Sequence, residues 1–309
     1  MSDSAQQFLR KSVLLVSNAA GQALDLSQLR IKFSVKKSGV MTPNTGEFRV
    51  YNLSDETVAL IKKEFSQVTF QAGYEANFGV IFKGTIKQTI SGRENSTDTF
   101  LDIIAGDGDE AYNFAIVNVT LAAGSSTSSQ LNAAIAPMGK FGVTPGFVGP
   151  LTPNQLPRGK TMYGNAKEHV RLIADTNDFN WSIQDEQVYF IKSSTYLPGE
   201  VVVLNSKTGM IGTPQQTIEG IKCKCLLNPQ LKIHGRAQLD NATVAQYKID
   251  FLQPGSAANT PVPLTADGVY YILVAEHEGD TRDVPWYTSL VLLNIDPSSN
   301  PLNSVKAGN

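Results

Sequence analysis

Cysteine and histidine are scarce, at two and three in 309 residues. Cys223 and Cys225, in "IKCKC", stand two apart on a predicted strand, so both point to one face with parallel Cβ vectors, which suits a disulfide poorly. Two thiols also fall short of a four-ligand zinc site, and reduced, buried thiols are expected. With only His169, His234 and His277 as bases, nucleophilic triads have few possible members. The Gly-x-Ser-x-Gly elbow, the His-Glu-x-x-His pair and the dinucleotide fingerprint are missing as well.

Charge is sparse too. Charged residues make up 17% of the chain, the net charge is −2, and no Lys/Arg run exceeds two residues. Nothing electrostatic points to nucleic acid or an anionic membrane. No apolar run approaches the ~20 residues of a membrane helix. The polar start followed by Val13-Leu-Leu-Val16 is too short a core for a signal peptide, so none is expected.

What is present reads mostly as strands. In RIKFSVKKS, Ile31, Phe33 and Val35 alternate with Arg30, Lys32, Ser34 and Lys36, the period of a half-buried strand. "TPNTG" turns the chain into GEFRVYNL. Ser54 caps a predicted helix with Asp55 and Glu56 at its positive end, Lys62 and Lys63 at its negative end, and Val58, Ile61 and Phe65 facing a core. VTFQAGYE, GVIFKGTIKQTI and DTFLDIIAG follow as strands. These make a β domain with one helix over residues 1–110.

The middle, 111–204, reads as α+β. A helix starts near Ser128 and ends before Pro137, and "GVTPGFVGPLTPNQLPRGK" looks like an extended loop. NAKEHVRLIADTND is a helix capped by Asn165, and FNWSIQDEQVYFIK is a hairpin turning at Asp185-Glu186. From 205 to 309 strands return: TIEGIKCKCLLNP, LKIHGRAQLD, YKIDFL, GVYYILVAEHE and PWYTSLVLLNID. Both faces of VYYILV and LVLL are apolar, which places the last hairpin in a sandwich core or against another subunit. The tail from Pro297 is polar and expected to fray. The fold class is therefore mainly β, with two sandwich-like or barrel-like β domains flanking a smaller mixed one.

Three clusters invite a chemical reading. "AEHEGDTRD" crowds Glu276, His277, Glu278, Asp280, Arg282 and Asp283, but neighbours on one strand face opposite ways and metal ligands must converge, so a solvated hairpin tip is expected. "AGDGDEAY" brings Asp107, Asp109 and Glu110 together without the later ligands of a calcium loop, and reads as a Gly-rich turn leaving the sheet. "PRGKT" resembles the end of a phosphate loop, but Asn154 stands where that motif needs glycine. No catalytic, cofactor-binding or metal-ligating residue is expected. Carboxylates converging from distant segments are the one catalytic arrangement the sequence leaves open.

Five phrases taken together resemble the hub proteins of phage tails and baseplates. They are "GQALDLSQLRIKFSVKKSGVMTPNTGEFRVYNLS", "VTFQAGYEANFGVIFKGTI", "IAGDGDEAYNFAIVNVTL", "TGMIGTPQQTIEGIKCKCLLNPQLKIHG" and "GVYYILVAEHEGDTRDVPWYTSLVLLN". Their order carries the resemblance more than any single motif. It implies a homotrimer with two tube-like β domains per subunit. Six such domains form a pseudo-sixfold ring, with a hexameric tail tube on one side and a trimeric spike on the other.

Further implied partners are the tape-measure protein and other baseplate proteins, with no sequence-specific nucleic acid and no membrane insertion. The implied place is the virion tail tip, after synthesis in the host cytoplasm. The alternatives are a tail-associated cell-wall hydrolase using Asp107 and Glu110, or a neighbouring tail tube or distal-tail ring protein. Interface residues are expected among the aromatic and apolar groups of the two hairpins: Tyr74, Phe78, Phe82, Tyr270, Ile272, Val274, Arg282, Trp286 and Tyr287.

Overall fold

The computed structural model describes residues 9–18, 20–246 and 261–294. The strand expected at YKIDFL and the polar tail lie outside the described residues. The first unit comprises β1 (Arg10–Ser17), β2 (Ala23–Asp25), β3 (Ile31–Ser38), β4 (Thr45–Tyr51), α1 (Asp55–Glu64), β5 (Gln67–Tyr74), β6 (Asn77–Arg93) and β7 (Thr99–Gly106). The apolar Val13–Val16 stretch lies in β1, which pairs antiparallel with β5. In β3 the alternation is realised: Ile31, Phe33 and Val35 are buried while Lys32 and Lys36 face solvent. Ser54 caps α1 by accepting from the Thr57 amide at 3.2 Å, and Ile61 is its fully buried contact. Around Phe33, Phe48, Phe70 and Phe82 the strands enclose one apolar core, which also receives Leu227 and Trp286 from far along the chain.

The insert contains α2 (Asp109–Phe114), β8 (Ile116–Leu121), α3 (Thr127–Ile135), a 3-10 turn over Ala136–Phe141, β9 (Thr144–Val148), β10 (Lys160–Asn165), α4 (Ala166–Asn177), β11 (Phe179–Gln184) and β12 (Gln187–Lys192). Asn165 caps α4 by accepting from the Lys167 amide. Asp185 and Glu186 turn the β11–β12 hairpin with φ of 53° and 63°, the primed-turn geometry usually given to Asn-Gly.

Two expectations are corrected here. The Gly/Pro-rich stretch is not all loop: β9 pairs parallel with β12, and its Pro145 is tolerated because the strand is an edge. The Asp107–Tyr112 turn continues into α2, which at six residues is too short to leave a periodic signal. The insert's core draws only on residues from Ala111 to Phe190.

The last unit has β13 (Val202–Val203), β14 (Met210–Thr217), β15 (Gly220–Leu226), β16 (Arg236–Gln238), a 3-10 turn over Asn241–Thr243, β17 (Val269–Asp280) and β18 (Trp286–Leu293). The strand expected over LKIHGRAQLD shrinks to β16, because His234 sits in a turn with φ of 67°. β17 is the shared element. Its first residues pair with β16, and from Val274 onward it pairs with β3. One sheet therefore runs β14-β15-β18-β17-β3-β4-β7-β6-β5-β1-β2 through both outer units. The β17–β18 ladder shifts register between Ile272 and Val274, at the point along β17 where its other neighbour changes from β16 to β3. Tyr270 and Ile272 face the third core, while Tyr271 and Leu273 face a small cluster with Val262 and Leu293. Both faces of β17 are thus covered from within the chain only over Tyr270–Leu273, while beyond Val274 one face stays partly open. The molecule is mainly β with a mixed α+β insert.

Candidate assembly surfaces and the buried polar junction

The acidic cluster at the β17–β18 tip is not the solvated tip expected. His277 is 2% exposed and shares a 2.9 Å hydrogen bond with Thr288 Oγ1. Burial, and to a lesser degree Lys37, push its pKa down to about 3. Asp280 is buried in a fork from Arg30, with Nη2 donating at 2.7 Å, and it accepts from the Arg282 amide. Burial alone would raise Asp280, but those hydrogen bonds outweigh it and hold the carboxyl below its ordinary range. Glu278 lies on the open sheet face, bridged to Lys224 at 2.7 Å. Arg282 and Asp283 are the charges that stand in solvent. The tip is pinned to the first unit because β17 carries it onto β3, a long-range pairing that no local pattern reveals.

Five of the nine residues expected at an interface are spent inside the chain. Tyr74, Phe82, Tyr270, Ile272 and Trp286 are all under 5% exposed. Trp286 packs edge-on to Phe33 at 5.2 Å and donates its indole N–H to Gly73 O at 3.2 Å. Tyr270 donates its hydroxyl to Asn241 Oδ1. For these five, a direct contact with another molecule gives way to a core role. Phe78, Val274 and Tyr287 are half-buried and Arg282 is exposed. Lys11 lies over Phe78 and Lys224 over Tyr287, at 4.8 and 4.3 Å.

Other apolar groups are left open. Beside Arg282, Val284 is 68% exposed, and Arg10 donates to its carbonyl, bringing the exposed Leu9 to the same end. On the insert, β8 and β10 form a separate two-stranded ribbon. Ile116 and Tyr163 are exposed on it, and Phe114 is exposed just before it. The absence of charge from Ile116 to Leu121 was the available sequence signal, weaker than the aromatic hairpins that drew the expectation elsewhere.

The Asp107 motif has a different role from catalysis. The side chain is fully buried and accepts three hydrogen bonds: from the amides of Asp185 at 2.7 Å and Glu186 at 2.8 Å, and from Asn44 Nδ2 at 3.1 Å. Burial, with nearby Asp185, pushes its pKa up to about 6 against the pull of Lys37 and these donors. The hydrolase alternative named Asp107 and Glu110; Asp107 is closed off from solvent, whereas Glu110 on α2 is half-buried.

The polar chain continues from Asn44 to Gln184 Oε1, and from Gln184 Nε2 to Ser182 Oγ. Ser182 meets His234 Nε2 at 2.7 Å, and His234 Nδ1 meets the Tyr271 hydroxyl. His234 is wholly buried, which pushes its pKa down to about 3. One hydrogen-bonded line thereby touches all three units. Around its hairpin end, Lys37 holds Asp185 at 2.7 Å and Lys83 holds Glu186 at 2.8 Å, while Lys87 pairs with Asp109.

Cys223 and Cys225 are free and buried on β15, and burial raises the Cys223 thiol to about 12. Among the described residues no group of three His, Cys, Asp or Glu converges as a metal site. Nor, among them, is any helix long and apolar enough to cross a membrane.

No family model matches the sequence, and no curated protein sequence does. Solved structures do share the fold. The 43 kDa tail protein of prophage MuSo2 from Shewanella oneidensis superposes with a TM-score of 0.58 at 8% identity, over 93% of this chain and 97% of that one. A tail protein from Neisseria meningitidis MC58 gives 0.55 at 9% identity, over 92% and 97%. An Escherichia coli component of the type VI secretion system, described as structurally similar to the T4 bacteriophage tail proteins gp27 and gp5, gives 0.53 at 10% identity, over 85% and 73%. The chain has the mainly-β fold found in phage tail proteins.

Proposed function

We propose that this chain is a structural phage tail protein, a baseplate hub that assembles as a homotrimer. In this reading its two outer β units contribute to a pseudo-hexameric ring between a hexameric tail tube and a trimeric spike, in the virion tail tip. The observation that supports it most is likeness of fold over more than nine-tenths of this chain and nearly the whole of two tail proteins. A sheet running unbroken through both outer units suits a stiff wall. The tape-measure protein and other baseplate proteins are further partners on the same reading. Residues 1–110 and 205–309 would be its tube-like domains and 111–204 the decoration.

On this proposal the contact surface at the hairpin tip uses Arg282, Val284 and Leu9, with Tyr287 and Phe78 at its margins, while Val274 lies farther back on β17 opposite Val291. Native mass spectrometry of the purified chain, alone and with tube and spike proteins, tests it. A trimer that bridges the two is expected. A persistent monomer that binds neither overturns the reading, and six copies per ring would make it a tube or distal-tail ring protein instead.

A further inference from the structure

The insert is joined to the body in an unusual way. Its core contains no side chain from outside 111–190, and the first core contains none from the insert. No helix or strand of the insert packs at length along a strand of the body. The chain enters through Gly108, at φ 65°, and leaves through residues 193–201. What spans the seam is polar: the Asp107 acceptor, the Asn44 and Gln184 amides, Ser182 against His234, and three lysine–carboxylate pairs. In each of those pairs the lysine (Lys37, Lys83 or Lys87) belongs to the sheet and the carboxylate (Asp185, Glu186 or Asp109) to the insert.

We infer that the insert is a latched module: it swings away from the sheet as a unit, with all three cores intact, when the Asp185-Glu186 turn leaves Asp107. Polar interfaces of this kind hold domains in place without fusing them, because each contact can be exchanged for water at little net cost. The buried apolar clusters on the two sides stay separate, with the Tyr189 ring stacked near His234 at 6.5 Å as a non-polar contact across the seam. The turn's hold on the body is narrow: the amides of Asp185 and Glu186 are fixed by the Asp107 carboxylate. Asp107 is the pin, and the lysines set the direction in which the hairpin returns.

Hydrogen exchange of the full chain tests this directly. The Asp185 and Glu186 amides should exchange at least about tenfold faster than the amides of β3, β4 and β17, through a local opening. In Asp107→Asn, one turn amide faces an NH2 in place of an acceptor. The Asp185 and Glu186 amides should then lose further protection, while β11 residues inside the insert's core and the strands of the body keep theirs. Lys37→Met, which removes a pair but no buried acceptor, should give the same pattern more weakly. Turn amides that exchange only as slowly as the body strands, or variants that raise exchange everywhere at once, would overturn the latch and make the insert an integral part of one cooperative unit.

Discussion

Trp286 illustrates how single side chains carry this fold. It arrives 213 residues after Gly73, whose carbonyl it engages, and its ring closes the first core against Phe33. Trp286→Ala should cost about 3–5 kcal/mol in a denaturant titration, the range for a large aromatic removed from a packed site. The buried histidines make a second prediction. His234 and His277 have folded pKa values near 3 against 6.5 in the open chain. The unfolded chain therefore takes up protons that the native one refuses, and stability present above pH 6.5 is lost as pH falls toward 3.

Asp107 works in the opposite sense between pH 6 and 3.8, because its folded pKa is raised. Two groups outweigh one, and stability should fall by on the order of 1 kcal/mol per pH unit below 6. Urea midpoints measured from pH 7.5 to 4.5 check the sign, and His277→Asn should flatten the slope. A midpoint that rises on acidification would mean that Asp107 dominates.

At the scale of elements, β15 and β18 extend the sheet beyond β17, the strand that joins the two outer units. Cys223 and Cys225 lie on β15, both buried and with thiols pushed up by burial. Neither should react with iodoacetamide at pH 8 in the native chain, and both should react in denaturant. Modification of the folded protein, followed by mass, would show that β15 opens locally. β3 and α1 were legible beforehand because each is locally complete: a period of two in one, and a cap with complementary end charges in the other. β9 and α2 were not, since a parallel edge strand with a proline and a six-residue helix are stabilised by neighbours rather than by their own pattern.

For the whole molecule, the distinction between core and surface decides which substitutions bear on assembly. Tyr270, Ile272 and Trp286 are buried in the chain's own cores, whereas Arg282 and Val284 stand in solvent. The double variant Arg282→Glu, Val284→Asp should leave the melting temperature within a few degrees, as exposed substitutions do, and weaken the proposed trimer about tenfold or more. Analytical ultracentrifugation reads both the mass and its concentration dependence. An unchanged trimer would move the contact elsewhere, with the β8–β10 ribbon and its exposed Ile116 and Tyr163 the next surface to vary.

Strand alternation, the capped helices and the Asp185-Glu186 turn were all determined by sequence alone. Each depends on residues within about one turn or one strand of each other, where side-chain period and backbone preference act directly. Only tertiary structure decided that β17 crosses from one unit to the other, that the acidic tip is half buried, that five aromatic and apolar residues are core, and that Asp107 is a pin. Those facts arise from pairings between residues dozens to hundreds of positions apart, such as His277 with Val35 and Asp107 with Glu186. Their energy comes from water excluded where distant segments meet, a quantity no local stretch of chain encodes.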